Sequence, residues 1–212
     1  MSITNVDHIN YKNCLVITSL PNENDKVDGT TNKPRIRHKN ILETIRDKYD
    51  FFIPKENLDN SKLKELNVHS IDYIDFLENA WVSFNENYDS DYDPKKDRGL
   101  VPYHFCPNKL SQAYKKIPQV WKRAGYFCHD IMTPIYENTY KIALACANNT
   151  YMAAKMIKTY DLIYCLNSYP CHHAYWDSYG GYCYLNSIAV CTKQFQKLNP
   201  DSKVAILDID YH

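Results

Sequence analysis

Apolar and polar positions follow two different patterns along the chain. Short apolar runs rich in β-branched residues, such as NCLVITSL at residues 13–20, indicate buried strands. Longer runs with an apolar residue every three or four positions, such as IDYIDFLENAWVSF at residues 71–84, indicate helices that bury one face. Together these patterns predict strands at residues 13–20, 49–54, 161–166 and 203–210, and helices at residues 34–48, 71–84, 139–158 and 185–198.

The order of these elements predicts the fold class. Strands that alternate with helices usually form a parallel sheet covered by helices, so we expect an α/β domain with a mainly parallel sheet. The 212 residues are enough for one ordinary domain, and the sequence shows no internal repeat and no second domain. Residues 86–120 are acidic and proline-rich with little periodicity, which predicts a long irregular loop.

Composition narrows the function classes. The chain has 25 Lys+Arg and 25 Asp+Glu residues, and this balance does not favour a nucleic acid or a membrane surface as partner. No apolar run has the length of a membrane span, and the polar N-terminus lacks the plan of a secretion signal. We therefore expect a soluble intracellular protein, with the cytoplasm favoured and the nucleus still open. The eight cysteines include no Cys-x-x-Cys pair, and several lie in apolar runs, so we expect reduced thiols.

The predicted strand at residues 203–210 leads into candidate metal ligands. Side chains alternate along a strand, so Asp208, Asp210 and His212 are expected on one side, at the carboxyl end where ligands bind in open α/β sheets. A carboxylate and an imidazole two residues apart can bind the same Zn²⁺, and a third group can orient an imidazole by a hydrogen bond. The structural alternative is a buried strand that runs into an acidic turn.

A second group of polar residues follows an earlier predicted strand. His172 and His173 are adjacent in SYPCHHAYWDSYGGYCYLN, residues 168–186, ahead of a Gly180-Gly181 pair in a chain with only five glycines. Neighbouring glycines indicate a close backbone approach or positive φ angles. Paired imidazoles beside a metal suit general acid–base catalysis. The alternative is a pair of partly buried histidines that bind backbone carbonyls.

Four blocks of sequence resemble one known family. In chain order they are LNVHSIDYIDFLENAW at residues 66–81, RAGYFCHDIMTPIYENTY at residues 123–140, PCHHAYWDSYGGYCYLNSIAV at residues 170–190 and VAILDIDYH at residues 204–212. In this order and spacing the blocks resemble the zinc-dependent histone deacetylase superfamily, and most closely its acetylpolyamine amidohydrolase branch. The resemblance implies the three-layer α/β/α arginase/deacetylase fold, of which this chain would form the N-terminal part.

The same resemblance implies roles for individual residues. Asp210 and His212 would be two zinc ligands, and His172 and His173 would be the tandem catalytic histidines that flank the metal-bound water. Asp208 would hydrogen-bond His172 and contribute to a structural site for a monovalent cation such as K⁺. The implied activity is zinc-dependent hydrolysis of an N-acetyl amide, in which the metal polarises the carbonyl group and a His-assisted water attacks it.

Substrate and partners also follow from the resemblance. Tyr182 would form one aromatic wall of a substrate channel, next to Gly181, and a narrow channel fits the alkyl chain of an acetylated polyamine or acetyl-lysine. Similarity to the polyamine branch favours a small cationic acetylated amine, while acetyl-lysine stays open. Two kinds of protein partner are expected: a second copy in a homodimer that involves residues 86–120, or a complementing C-terminal fragment.

The chain also departs from the family pattern. Cys171 stands where the family usually has Gly, and Ser168-Tyr169 stands where it generally has Arg-Pro. We expect Cys171 to pack rather than to bind metal. In the family, a third zinc carboxylate, a catalytic Tyr and the acidic partner of the second histidine follow later than the position of His212.

These departures leave three interpretations. The chain is a zinc amidohydrolase that works with sequence beyond residue 212, or a truncated non-catalytic relative that binds a partner or persists as a degenerate gene product. The third is a generic α/β binding domain whose motifs match by coincidence. We expect no activity from the 212-residue chain alone, and an exposed apolar surface around Leu207 and Ile209.

Overall fold

The computed structural model describes residues 13–19, 33–55, 57–86, 99–106 and 112–212. Strands and helices alternate along these residues. In chain order they are β1 (Cys14–Thr18), α1 (Lys33–Ile45), β2 (Asp50–Phe52), α2 (Asn60–Glu65), α3 (Ile71–Glu86), a short 3-10 helix (Gln112–Lys116), α4 (Val120–Phe127), α5 (Thr139–Met156), β3 (Leu162–Leu166) and α6 (Ser187–Leu198).

The three strands form one parallel sheet in the order β2-β1-β3. Leu15 of β1 pairs with Asp50 of β2 and with Ile163 of β3, so β1 is the central strand. Parallel neighbours need crossover connections, and helices lie in both crossovers of this sheet. The α/β class and the parallel sheet predicted from the sequence are confirmed. The prediction of a single domain stays a prediction.

The sheet buries its two faces unequally. On one face, Ile17 of β1 packs against Ala153 of α5 in a small apolar core. On the other face, the Thr18 hydroxyl lies 2.9 Å from Nε2 of His38 on α1. Tyr164 of β3 lies on that second face by its register and is 42% exposed. The helices therefore cover one face more completely than the other.

The main core lies among α3, α4, α5 and the loop before α6. Phe76 of α3 stacks on Phe127 of α4 with ring centroids 4.7 Å apart. Tyr179 and Tyr184 of the loop extend this aromatic packing, with centroids 5.7 Å apart. The Tyr73 hydroxyl on α3 donates a hydrogen bond to the Tyr184 carbonyl oxygen at 2.6 Å. The loop before α6 is thereby anchored in the core.

Most of the predicted elements are confirmed, with ends that differ by a few residues. The helices α1, α3, α5 and α6 and the strands β1, β2 and β3 all occur where the apolar pattern places them. The helices α2 and α4 were not predicted. The predicted irregular loop at residues 86–120 lies partly outside the described residues, and its described part contains the 3-10 helix.

The predicted strand at residues 203–210 is wrong. These residues have no regular secondary structure and pair with no strand of the described chain. Leu207 and Ile209 are 87% and 88% exposed, so the apolar surface expected around them is present. The physical reason is that apolar residues favour a strand only where a neighbouring strand can accept their backbone hydrogen bonds.

Two further expectations concern the whole chain. None of the helices in the described ranges is long and apolar enough to cross a membrane. All eight cysteines are free in the structure, and their reduced state stays a prediction.

Candidate active site

Two segments meet at the candidate site. The first lies between β3 and α6, and we call residues 170–186 the His-pair loop. The second, residues 203–212, follows α6 and is called the C-terminal segment. The His-pair loop comes after the carboxyl end of a parallel strand, which is where ligands bind in open α/β sheets.

His172 is the residue at which the two segments touch. Its Nδ1 lies 2.8 Å from Oδ2 of Asp208, and its Nε2 lies 3.8 Å from Oδ1 of Asp210. The half-buried His173 ring lies beside it, with centroids 4.1 Å apart and planes inclined by 47°. The structure thus brings these four residues together and contains the expected hydrogen bond between His172 and Asp208. The catalytic role of the pair stays a prediction.

The C-terminal segment is held by its own aspartates. The N–H of Asp210 donates to Oδ1 of Asp208 at 2.9 Å, and the N–H of His212 donates to Oδ1 of Asp210 at 2.8 Å. These bonds to a side chain two residues earlier are Asx turns, which compete with a sheet ladder. The bond from the Asp210 backbone, followed by the bond with His172, lowers the pKa of Asp208, and the bonds from His212 lower the pKa of Asp210. Both groups therefore favour the carboxylate form.

Asp210 and His212 offer two donors for one metal ion. Oδ1 of Asp210 lies 3.1 Å from Nδ1 of His212. Ligand atoms about 2.0–2.2 Å from a tetrahedral zinc ion stand about 3.3 Å from each other, so this pair fits one edge of such a site. In the part of the chain that the structure describes, no group of three or more His, Cys, Asp or Glu side chains could hold a metal ion. The ligand assignment stays a prediction.

The glycine pair lets the backbone approach two histidine rings. A Cβ on Gly181 would lie 2.4 Å from Cδ2 of His173, and a Cβ on Gly180 would lie 2.0 Å from Nε2 of His129. Gly181 has a φ of +55°, and the following residue, Tyr182, has a φ of +62°. A left-handed tyrosine is uncommon, so surrounding contacts must stabilise this corner.

Asp130 and Thr133 supply those contacts, although the sequence analysis did not single them out. Oδ2 of Asp130 accepts hydrogen bonds from the N–H of Gly181 at 2.6 Å and from the Thr133 hydroxyl at 2.9 Å. Oδ1 of Asp130 accepts from the N–H of Met132 at 2.8 Å, and the Thr133 hydroxyl oxygen accepts from the N–H of Tyr182 at 3.0 Å. The available signal was the Asp-x-x-Thr spacing, which is typical of side chains that bind nearby backbone.

His69 is the other residue that the sequence analysis missed. It lies just before α3 and is buried, with both ring nitrogens bonded to the His-pair loop. Burial lowers the pKa of this imidazole to about 4. The sequence offered two signals, namely its place in the family-like block at residues 66–81 and at the start of an amphipathic helix.

The remaining candidate residues occupy less enclosed positions. Tyr182 is 49% exposed, so its ring is available to a bound molecule, and its assignment to a substrate channel stays a prediction.

The Ser168 hydroxyl lies 3.0 Å from Nδ1 of His38, and the Tyr169 ring packs edge-on against Tyr184. Burial raises the pKa of the half-buried Cys171 thiol, which favours the neutral form expected of a packed side chain.

Comparison with known proteins identifies the family. Residues 30–212 match the histone deacetylase domain. The chain therefore belongs to the histone deacetylase domain family, as the four sequence blocks indicated.

Individual relatives refine this placement. The chain is 31% identical over 180 residues to acetylpolyamine amidohydrolase 1 of Pseudomonas aeruginosa. The aligned residues cover 84% of this chain and 46% of that protein. It is 29% identical over 150 residues to acetylpolyamine amidohydrolase of Mycoplana ramosa, covering 69% of this chain and 40% of that protein. The chain thus spans less than half the length of these curated relatives.

A solved structure supports the fold. The chain resembles the crystal structure of acetylpolyamine aminohydrolase from Burkholderia pseudomallei, with a TM-score of 0.64 and 20% sequence identity. The match covers 87% of this chain and 53% of that chain. At this level of identity the likeness shows the arrangement of strands and helices and nothing further about chemistry.

Proposed function

We propose that the chain carries part of a zinc-dependent amidohydrolase site that removes the acetyl group from a small acetylated polyamine. The supporting observation is the contact of His172 with the carboxylates of Asp208 and Asp210, next to His173. Asp210 and His212 would hold the zinc ion together with a protein ligand outside the described residues. Asp208 would also contribute an oxygen to a structural site for K⁺.

The residues of this chain would position and transfer protons. When bound, zinc polarises the amide carbonyl and makes an attacking water more acidic. An ionised Asp208 accepts a hydrogen bond from Nδ1–H of His172, which leaves the Nε2 lone pair free to take a proton from water. His172 would then deliver that proton to the departing amine nitrogen, and His173, held against Gly181, would stabilise the developing charge.

The substrate assignment rests on the relatives and on Tyr182. The curated relatives are acetylpolyamine amidohydrolases, which favours an acetylated polyamine over acetyl-lysine. The exposed Tyr182 ring offers an apolar surface for the alkyl chain of either substrate. The amide at the end of that chain would then reach the two histidines.

Zinc binding tests the proposal without an activity assay. Isothermal titration of the 212-residue chain with Zn²⁺ should show weak binding that is lost in Asp210→Ala, because that change removes one of two described donors. Asp201→Ala removes an exposed aspartate outside the site and is the matched control. A tight site with one zinc per chain that survives Asp210→Ala would contradict the ligand assignment.

We expect no measurable deacetylation by the 212-residue chain alone. Its described residues offer two zinc donors, whereas catalytic zinc sites use three protein ligands. Acetylputrescine and an acetyl-lysine peptide are the substrates to compare. Turnover that His172→Ala abolishes would show that the chain is active by itself.

A second candidate function is partner binding by a non-catalytic relative. The observation that favours it is the exposure of Leu207 and Ile209 on a segment without strand partners in the described chain. Exposed apolar surface and unpaired backbone promote association, here with a second copy or with a complementing fragment. Light scattering should detect oligomers that Leu207→Ser reduces, and a monodisperse monomer would contradict this candidate.

A further inference from the structure

His69 connects the start of α3 to two points of the His-pair loop. Its side chain is 1% exposed. Nδ1 lies 2.7 Å from the carbonyl oxygen of Tyr175, and Nε2 accepts a hydrogen bond from the N–H of Asn186 at 2.9 Å. A single ring therefore bridges the two sides of the segment that contains Gly181 and Tyr182.

The two partners define the protonation state of the ring. A carbonyl oxygen can only accept a hydrogen bond, and a backbone N–H can only donate one. His69 must then carry its proton on Nδ1 and be neutral. A second proton on Nε2 would face the N–H of Asn186 and remove that hydrogen bond.

Asn186, which is bonded to His69, also forms hydrogen bonds at both ends of the loop. Its Oδ1 accepts from the N–H of Ala189 at 3.0 Å, which caps α6, and its Nδ2 donates to the carbonyl oxygen of Ala174 at 3.1 Å. Ala174 directly follows His173. A shift of the Asn186 backbone would therefore change the start of α6 and the position of the histidine pair together.

We propose that neutral His69 is a positioning residue, which fixes Tyr175 and Asn186 and thereby places the adjacent His172 and His173, so that His172 contacts the C-terminal segment. Only the catalytic meaning of this placement rests on the proposed function, because the hydrogen bonds exist independently of it. Ser70, the next residue, reinforces the contact through its N–H, which donates to the Trp176 carbonyl oxygen at 2.8 Å.

The surroundings of the ring agree with a neutral imidazole. From α3 the titratable group that faces it is Tyr73, with ring centroids 5.2 Å apart, and burial raises the pKa of Tyr73 well above its usual range. From the His-pair loop the facing groups are backbone atoms of Tyr175, Trp176 and Asn186. Burial, partly offset by those carbonyls, lowers the pKa of His69, and no charged side chain of the described residues contributes to this shift.

Hydrogen exchange in the 212-residue chain tests the proposal. His69→Gln keeps one donor and one acceptor, whereas His69→Phe keeps a ring of similar size and removes both. Mass spectrometry should show roughly tenfold faster amide exchange across residues 170–186 in His69→Phe, because two buried hydrogen bonds are lost. His69→Gln should stay near the wild-type rate. The exchange of the Cε1–H of His172 should change in His69→Phe as well.

A matched control separates positioning from general destabilisation. His38 is also 1% exposed, and its two ring nitrogens contact Thr18 and Ser168, outside the His-pair loop. His38→Phe should speed exchange around β1 and leave residues 170–186 nearly unchanged. Equal exchange in the loop for His38→Phe and His69→Phe, or equal exchange for His69→Gln and His69→Phe, would overturn the proposal.

The wild-type chain supplies a test that needs no variant. The pH profile of Cε1–H exchange at His69 should have its midpoint well below that of an ordinary histidine, and a midpoint in the ordinary range would overturn the proposal. Because none of these measurements uses zinc or substrate, a failure of zinc binding would refute the proposed function and leave the role of His69 to be decided by exchange.

Discussion

The two halves of the candidate site are held in place by different forces. The His-pair loop is fixed from inside, because Tyr179 and Tyr184 lie in the core and His69 and Asp130 bind its backbone. The C-terminal segment is fixed at the surface by Asx turns and by a contact with His172. Exposed polar contacts contribute about 0–1 kcal/mol each, whereas buried ones contribute more. We therefore expect the loop to keep its geometry without a metal and the segment to depend on its partners.

The largest effect is expected for Gly181→Ala on the loop side. Alanine at a φ of +55° is strained, and its Cβ would lie 2.4 Å from the His173 ring. The free energy of unfolding should fall by roughly 2–5 kcal/mol, measured by urea denaturation. Gly99→Ala, at a φ of +67° outside both halves, is the matched control. It should also destabilise the chain but leave the Cε1–H exchange of His173 unchanged. A Gly181→Ala chain of wild-type stability would contradict the positive φ and the close contact described at Gly181.

Acidification should have the next largest effect, again on the loop side. Folding lowers the pKa of His69 from 6.5 to about 4, so the unfolded chain binds its proton at a higher pH than the folded chain does. The stability contributed by a neutral His69 is therefore present above pH 6.5 and is lost as the pH falls toward 4, by about 3 kcal/mol at pH 4. Urea denaturation of His69→Gln should lack this component, and parallel pH profiles for the two chains would contradict it.

Asp130→Asn should cost less, because the side chain keeps its shape. The change replaces one of the two oxygens that accept hydrogen bonds from Gly181, Met132 and Thr133, and it removes the charge. We expect a loss of about 2 kcal/mol in unfolding free energy and faster amide exchange at Gly181. Asp201→Asn, on an exposed turn, should change neither quantity. Equal unfolding free energies and equal Gly181 exchange rates in the two variants would show that Asp130 does not stabilise the loop.

The smallest effect is expected in the C-terminal segment. Leu207 is 87% exposed, so Leu207→Ala should change the unfolding free energy by less than about 0.5 kcal/mol. Leu185, in the His-pair loop, is 2% exposed, and Leu185→Ala should cost about 2–5 kcal/mol. The same substitution thus compares the two halves directly. A similar loss in both variants would show that the segment is packed rather than exposed.

The helices α3 and α5 could be predicted because their apolar positions repeat with the helical period over many residues. The helix α4 is short and contains Gly125, which permits a contact with His104 that a Cβ would prevent. The helix α2 depends on Asp59, whose side chain accepts a hydrogen bond from the N–H of Lys62. Such local or tertiary contacts do not appear in an apolar pattern, so both helices were missed.

The site was predictable to the extent that its residues stand close together in sequence blocks. His172, His173, Asp208 and Asp210 were named from such blocks, and the structure brings them into contact. The partners of the loop were not predictable, because the bond from Asn186 to His69 spans 117 residues and that from Gly181 to Asp130 spans 51. The prediction of a strand at residues 203–210 was wrong for a related reason. The apolar pattern of a segment does not show whether a neighbouring strand is there to pair with it.

The Asx turns of the C-terminal segment bear on the order in which the site assembles. Each of them closes a ring within two residues, so it can form on the submicrosecond scale of local chain motion, long before distant parts of the chain meet. The contact between His172 and Asp208 spans 36 residues and forms by a slower search. Asp208, Asp210 and His212 can therefore form these weak local contacts before the chain folds, and the slower encounter of Asp208 with His172 then holds the segment in place.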